Sequence, residues 1–133
     1  MELDHIGVAV SAVGPAQAAW ALLGLAAEMP ETVAGDGVTV VFCPFSGGRL
    51  ELLEPLDEDS PVGRFLARRG PGLHHLAFRV ERLDATLDRL KAHGVRLLDP
   101  VGRPGAHGTR VAFLHPAAMG GVLVELVERG VNS

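Results

Sequence analysis

Two histidines and two glutamates, His5, His75, Glu51 and Glu125, are the residues of this chain best suited to chemistry. Repetition picks them out, since no compact motif does. Leu3-Asp4-His5-Ile6-Gly7-Val8-Ala9-Val10 returns 70 residues later as Leu73-His74-His75-Leu76-Ala77-Phe78-Arg79-Val80. The match runs on through Val13 with Leu83, Trp20 with Leu90 and Gly24 with Gly94. Leu50-Glu51-Leu52-Leu53-Glu54 likewise returns as Val124-Glu125-Leu126-Val127-Glu128. One unit of about 65 residues is used twice. Each copy delivers an imidazole from its first strand and a carboxylate from its last.

If the copies pack about a pseudo-twofold axis, the four side chains converge in one cleft. Two neutral imidazoles and two carboxylates cancel a divalent charge, so such a site can stay dry. An N2O2 set leaves two octahedral positions open, which suits cobalt, nickel, manganese, zinc or magnesium better than a closed structural zinc site. Singly, a strand histidine is usually a hydrogen-bonded core residue and a strand-end glutamate is usually solvated. Here both glutamates lie inside apolar strands, where a lone buried carboxylate is expensive. Both histidines share a strand face with small residues: Gly7 and Ala9 beside His5, Ala77 beside His75. A divalent metal site is therefore expected. His74 faces the other way and reads as core or as a support behind the metal ligands. Glu54 and Glu128 are an odd number of residues from Glu51 and Glu125, which puts them outside the metal shell. His107 and His115, in and after a closing loop, are weaker candidates for touching a substrate, or they cap turns.

The elements that must position these residues follow from periodicity. Residues 3–10 alternate as a strand, with Ile6, Val8 and Val10 opposite His5, Gly7 and Ala9. Pro15 opens a helix carrying Ala18, Ala19, Leu22 and Leu23 that stops at Gly24, with Trp20 as its anchor on the sheet. Residues 26–37 read as loop, 38–45 as a β-branched strand, Ser46-Gly47-Gly48 as a hairpin turn and 49–54 as its partner strand. The first half is thus βαβββ or βαββ. Ser60-Pro61 caps a short helix that ends at Gly70. In the second half, 73–80 is a strand, and Leu83, Leu87 and Leu90 stripe a helix ending at Gly94. Residues 95–98 read as a strand, 99–109 as a long Pro/Gly loop, and 110–114 and 122–128 as closing strands.

Composition narrows the class. The 133 residues, 47% hydrophobic and 21% charged, are enough for one globular domain with a real core. A net charge of -4 gives no basic footprint for nucleic acid. No apolar run reaches the roughly 18 residues of a membrane span, so a cytoplasmic protein is expected. Cys43 is the single cysteine, which excludes an internal disulfide and a thiolate cluster, and its apolar neighbours make it a buried strand thiol.

These segments resemble a known family. Residues 3–10, Glu51-Leu52-Leu53-Glu54-Pro55-Leu56 with Asp59-Ser60-Pro61, and Gly72-Leu73-His74-His75 are similar to the methylmalonyl-CoA epimerases of the vicinal oxygen chelate (glyoxalase/bleomycin resistance) superfamily. So are Gly105-Ala106-His107-Gly108, Phe113-Leu114-His115-Pro116 and Gly120-Gly121-Val122-Leu123-Val124-Glu125-Leu126, which makes an ordered set over nearly the whole chain. The resemblance implies an α+β, glyoxalase-like fold. Two tandem βαβββ modules, residues 1–56 and 72–133 around a linker helix at 57–71, would form a curved mixed sheet around a metal-containing cleft in a single domain. It implies that His5, Glu51, His75 and Glu125 hold a divalent ion, Co2+ before the others. It further implies a cytoplasmic homodimer, in propionate metabolism, that interconverts (2R)- and (2S)-methylmalonyl-CoA.

There is one departure. Some members carry, just after the loop before the second strand, a glutamate proposed as a base. Here Ala34-Gly35-Asp36-Gly37-Val38 is followed by Thr39 and Val40. Glu51 and Glu125 remain as the catalytic carboxylates, with Asp36 a lesser candidate. A lactoylglutathione lyase, or a non-catalytic small-molecule-binding protein of the same fold, is the alternative.

Overall fold

The computed structural model describes residues 1–130; the last three residues of the expected second module lie outside the described residues. Two compact units form, one of His5–His74 and one of residues 75–130 together with residues 1–4.

In the first half of the chain, strand β1 (Glu2–Ala9) is followed by helix α1 (Val13–Ala21), then β2 (Glu31–Val33), β3 (Val38–Phe45) and β4 (Gly48–Pro55), and helix α2 (Pro61–Arg69) closes it. The strand order is β2-β3-β4-β1, antiparallel except for the parallel pair β1/β4. In the second, β5 (Gly72–Arg79), helix α3 (Leu83–Ala92), β6 (Arg103–Pro104), β7 (Arg110–Leu114) and β8 (Val124–Glu128) follow. Their order is β5-β8-β7-β6, with β5/β8 parallel. The choice left open by the sequence is resolved: both halves are βαβββ.

Each unit puts its helix on one sheet face and so frees the other. Val13, Ala16 and Trp20 of α1 pack with Ile6 and Val8 of β1 against buried Val41, Cys43, Leu50 and Leu52. Trp20 is the expected anchor. In the other unit Leu83, Leu87 and Leu90 of α3 pack on Ala112, Leu114, Val124 and Leu126. Burying a leucine in such a cluster contributes about 2 kcal/mol.

The helices start in an unusual way. Neither Ala12 nor Arg82, at the N-caps of α1 and α3, makes a side-chain cap bond. A glutamate at the end of the last strand does so instead. The Val13 amide donates to Glu54 Oε1 at 2.9 Å, and the Leu83 amide donates to Glu128 Oε1 at 3.0 Å. A carboxylate there satisfies an orphan amide and meets the positive end of the helix dipole. Alanine at either position is expected to cost about 1 kcal/mol, read as a thermal midpoint lower by about 3–5 °C. By contrast α2 uses the adjacent Ser60, whose Oγ accepts from the Gly63 amide at 3.1 Å, as its Ser-Pro start implied.

Four sequence expectations are corrected. The first helix begins at Val13 and ends at Ala21, so Leu22 and Leu23 fall in the turn beyond it and stand 88% and 73% exposed. Residues 26–37 include β2 and a 3-10 turn at Ala34–Asp36. Residues 95–98 form no strand: Leu97 makes an isolated bridge to Leu114, and the Leu98 and Asp99 amides share one acceptor, the Phe113 carbonyl. The long loop contains β6 and a 3-10 turn at Ala106–Gly108.

Cys43 is buried as expected. Burial first, and the nearby Glu28 carboxylate second, push its thiol above the ordinary value. The folded chain therefore holds this proton more tightly than the unfolded chain. Its contribution is fully present below the ordinary thiol range and is lost as pH rises through the folded value. Denaturant midpoints should fall with pH above about 8.5, and Cys43→Ala should flatten that slope. Native protein should also leave a thiol reagent unconsumed until it is unfolded.

Candidate metal centre

Strand period and register assemble a histidine–glutamate pair inside each unit. On β1, His5, Gly7 and Ala9 share the face opposite α1, and all three are buried. Gly7 is the register partner of Glu51 on β4, and Ala9 that of Leu53. His5 is thus the diagonal neighbour of Glu51, with a glycine leaving room between them. His5 Nε2 lies 3.5 Å from Glu51 Oε1, their side chains 4% and 9% exposed. The second unit repeats this. Ala77 of β5 is in register with Glu125 of β8, and His75 Nε2 lies 3.4 Å from Glu125 Oε1, with side chains 3% and 6% exposed.

Both separations exceed the roughly 2.7–2.9 Å of a charge-assisted hydrogen bond. They match two ligand atoms in adjacent positions about 2.1 Å from a common ion, which lie about 3.0–3.4 Å apart. Each unit thus offers one buried imidazole nitrogen and one buried carboxylate oxygen, donor types that suit a divalent ion. Sequestering two carboxylates without such compensation would cost several kcal/mol each, on the order of the effective penalty for a buried ion.

An aromatic ring accompanies each pair. Phe42 on β3 is directly opposite Glu51, and Phe113 on β7 directly opposite Glu125. Phe42 meets the His5 ring in a T-shaped contact at 5.8 Å, and Phe113 meets His75 the same way at 5.4 Å. Sequence reasoning missed both rings. A 71-residue shift that aligns Val40 with Val111 also aligns these two phenylalanines, and that was the available signal.

Other candidates sit elsewhere. Glu54 and Glu128 cap helices. His74 makes a T-shaped contact with Phe65 of α2 at 4.9 Å. His115 Nδ1 accepts from the Ala117 amide at 3.0 Å, capping the 3-10 turn at Pro116–Met119. His107 is exposed and, among the described residues, the one non-glycine with positive φ, at 57°. Asp36 is half-buried in its 3-10 turn. Asp4 was also overlooked. It is 1% exposed, and its Oδ1 accepts from Arg129 Nε at 3.0 Å and Nη2 at 2.9 Å, with Arg79 Nη2 at 3.4 Å.

The chain is similar to several known proteins. The profile of the glyoxalase/bleomycin resistance protein/dioxygenase superfamily matches residues 4–113. The ethylmalonyl-CoA/methylmalonyl-CoA epimerase of Cereibacter sphaeroides is 41% identical, over 93% of this chain and 95% of that protein. The crystal structure of methylmalonyl-CoA epimerase from Mycobacterium tuberculosis superposes with a TM-score of 0.93 at 39% identity, covering 98% of this chain and 89% of that one. A methylmalonyl-CoA epimerase solved in complex with methylmalonyl-CoA and NH4+ gives 0.93 at 36% identity, over 98% and 95%. The fold is glyoxalase-like, and the chain belongs to the glyoxalase/bleomycin resistance protein/dioxygenase superfamily and, within it, to the methylmalonyl-CoA epimerase family.

Proposed function

We propose that this protein is a methylmalonyl-CoA epimerase, an isomerase that inverts the carbon between the thioester and the carboxylate of methylmalonyl-CoA. The observation that carries the reading is the buried histidine–glutamate pair, built twice at 3.5 and 3.4 Å on equivalent strands of a chain similar end to end to such epimerases. His5, Glu51, His75 and Glu125 would hold one divalent ion, Co2+ before Ni2+, Mn2+, Zn2+ or Mg2+, within a single domain. When bound, the ion would supply positive charge where the thioester oxygen turns negative, and open positions for the substrate's oxygens.

The protein's own groups then move the proton. With the ion bound, His5 and His75 would be its ligands through Nε2 and would have no proton there to transfer. Glu51 and Glu125 are the carboxylates available as base and acid. One accepts the C2 proton while the C–H electron pair passes into the thioester carbonyl as an enolate. The other, loosened from the ion and protonated at the outset, gives its proton to the opposite face, so the product differs only in configuration and the two carboxylates end with their protonation exchanged. Apolar Ala9 and Leu53 in one unit, and Ala77, Val111 and Val127 in the other, keep these faces dry and make each charge interaction stronger than in water. The reading extends to a homodimer acting in the cytoplasm in propionate metabolism. Among the described residues no helix is long and apolar enough to cross a membrane.

The test is proton exchange. Methylmalonyl-CoA incubated with Co2+-loaded protein in D2O should lose its C2 proton signal while the two epimers equilibrate. Turnover of the glutathione–methylglyoxal hemithioacetal without that exchange would overturn the reading in favour of a lactoylglutathione lyase.

A further inference from the structure

We propose that Phe42 and Phe113, each backed by an arginine, are positioning residues that set the orientation of the His5 and His75 imidazoles. This rests on the reading that those imidazoles bind a divalent ion.

An imidazole needs such a device. Its terminal torsion is broad, so the strand fixes where the ring starts but not where its lone pair points. Metal ligation tolerates only about 10–20° of error. In both units a phenyl edge closes one side of the ring, at interplanar angles of 76° for His5/Phe42 and 83° for His75/Phe113. T-shaped contacts of this kind contribute about 0.5–1.5 kcal/mol beyond area burial.

Each phenyl ring is in turn covered by a guanidinium. Arg49 Cζ lies 4.1 Å from the Phe42 centroid, and Arg103 Cζ lies 5.6 Å from that of Phe113. Asp99 ties the second cation to the strand carrying the ring. Its Oδ1 accepts from Arg103 Nε at 3.2 Å, and its Oδ2 accepts from the Phe113 amide at 2.8 Å.

The two cations do not come from equivalent positions. Arg49 is two residues before Glu51, where the second unit has Leu123 before Glu125. Arg103 is in register with Val111, where the first unit places Glu31 opposite Val40. The same stack, guanidinium on phenyl on imidazole, is therefore built by two routes. Duplication alone accounts for the phenylalanines, but it does not account for the arginines.

The experiment titrates metal-free protein with Co2+, following heat and the visible absorption of bound cobalt. Phe113→Leu should weaken Co2+ binding by about 10–100-fold, the range for groups that orient metal ligands, and should shift the absorption band. Phe113→Tyr, which keeps the ring, should restore both. Arg103→Gln alters a half-exposed side chain, so it should fold; it should weaken binding about threefold to tenfold with an unchanged thermal midpoint for the metal-free form. If Phe113→Leu does not fold, Arg103→Gln decides the matter. Wild-type affinity and spectrum in either folded variant overturn the proposal. No Co2+ uptake by the wild type overturns the metal reading itself, and this inference with it, before any variant is made.

Discussion

Glu125→Ala should abolish bound metal and epimerase activity together, with C2 exchange down by at least about 10³-fold, since it removes both a ligand and a proton-transfer group. The neighbouring control is sharp. Glu128 is three residues along the same strand but faces the helix side, where it caps α3 and meets Arg110 Nη1 at 3.4 Å. Glu128→Ala should lower the melting temperature yet keep the metal and the activity. Elemental analysis with the D2O assay on the two variants separates a ligand from a helix cap. Equal loss in both would mean that the strand faces are assigned the wrong way round.

The largest effect on stability is expected at Asp4. Its carboxylate is almost fully buried and serves Arg79 and Arg129, which remain 35% and 28% exposed. Removing one member of a buried ion pair costs about 3–5 kcal/mol. Because both arginines can rehydrate, Asp4→Ala should fall near the lower end, about 3 kcal/mol, with Asp4→Asn costing less. Urea denaturation with the slope held constant measures the difference. A change below about 1 kcal/mol would mean that the cluster behaves as an exposed ion pair.

Much of this was legible in the sequence because two signals coincide there. A side-chain period of two gives strand faces, and the internal duplication says which of those faces recur. Together they placed His5, Gly7 and Ala9 on one face, linked Glu51 to Glu125, and set Glu54 and Glu128 apart. What was hidden depends on partners distant in sequence. β2 is three residues long in a stretch with glycine and proline, too short to show a period. Leu22 and Leu23 continue an apolar stripe past the point where α1 has ended. Residues 95–98 look like a strand, yet only Leu97 makes a ladder contact. Phe42 and Phe113 gain their roles only when antiparallel register sets them across from the glutamates. The same holds for the helix caps, which come from 41 and 45 residues away.

The first strand ties the start of the chain to its later half. Residues 1–4 belong with the unit that begins at His75, and Asp4 neutralises two arginines of that later stretch. Severing the chain near Pro71 would therefore not yield two self-sufficient halves: the downstream piece would lose its anionic anchor, and the upstream piece would keep that carboxylate without these two arginines.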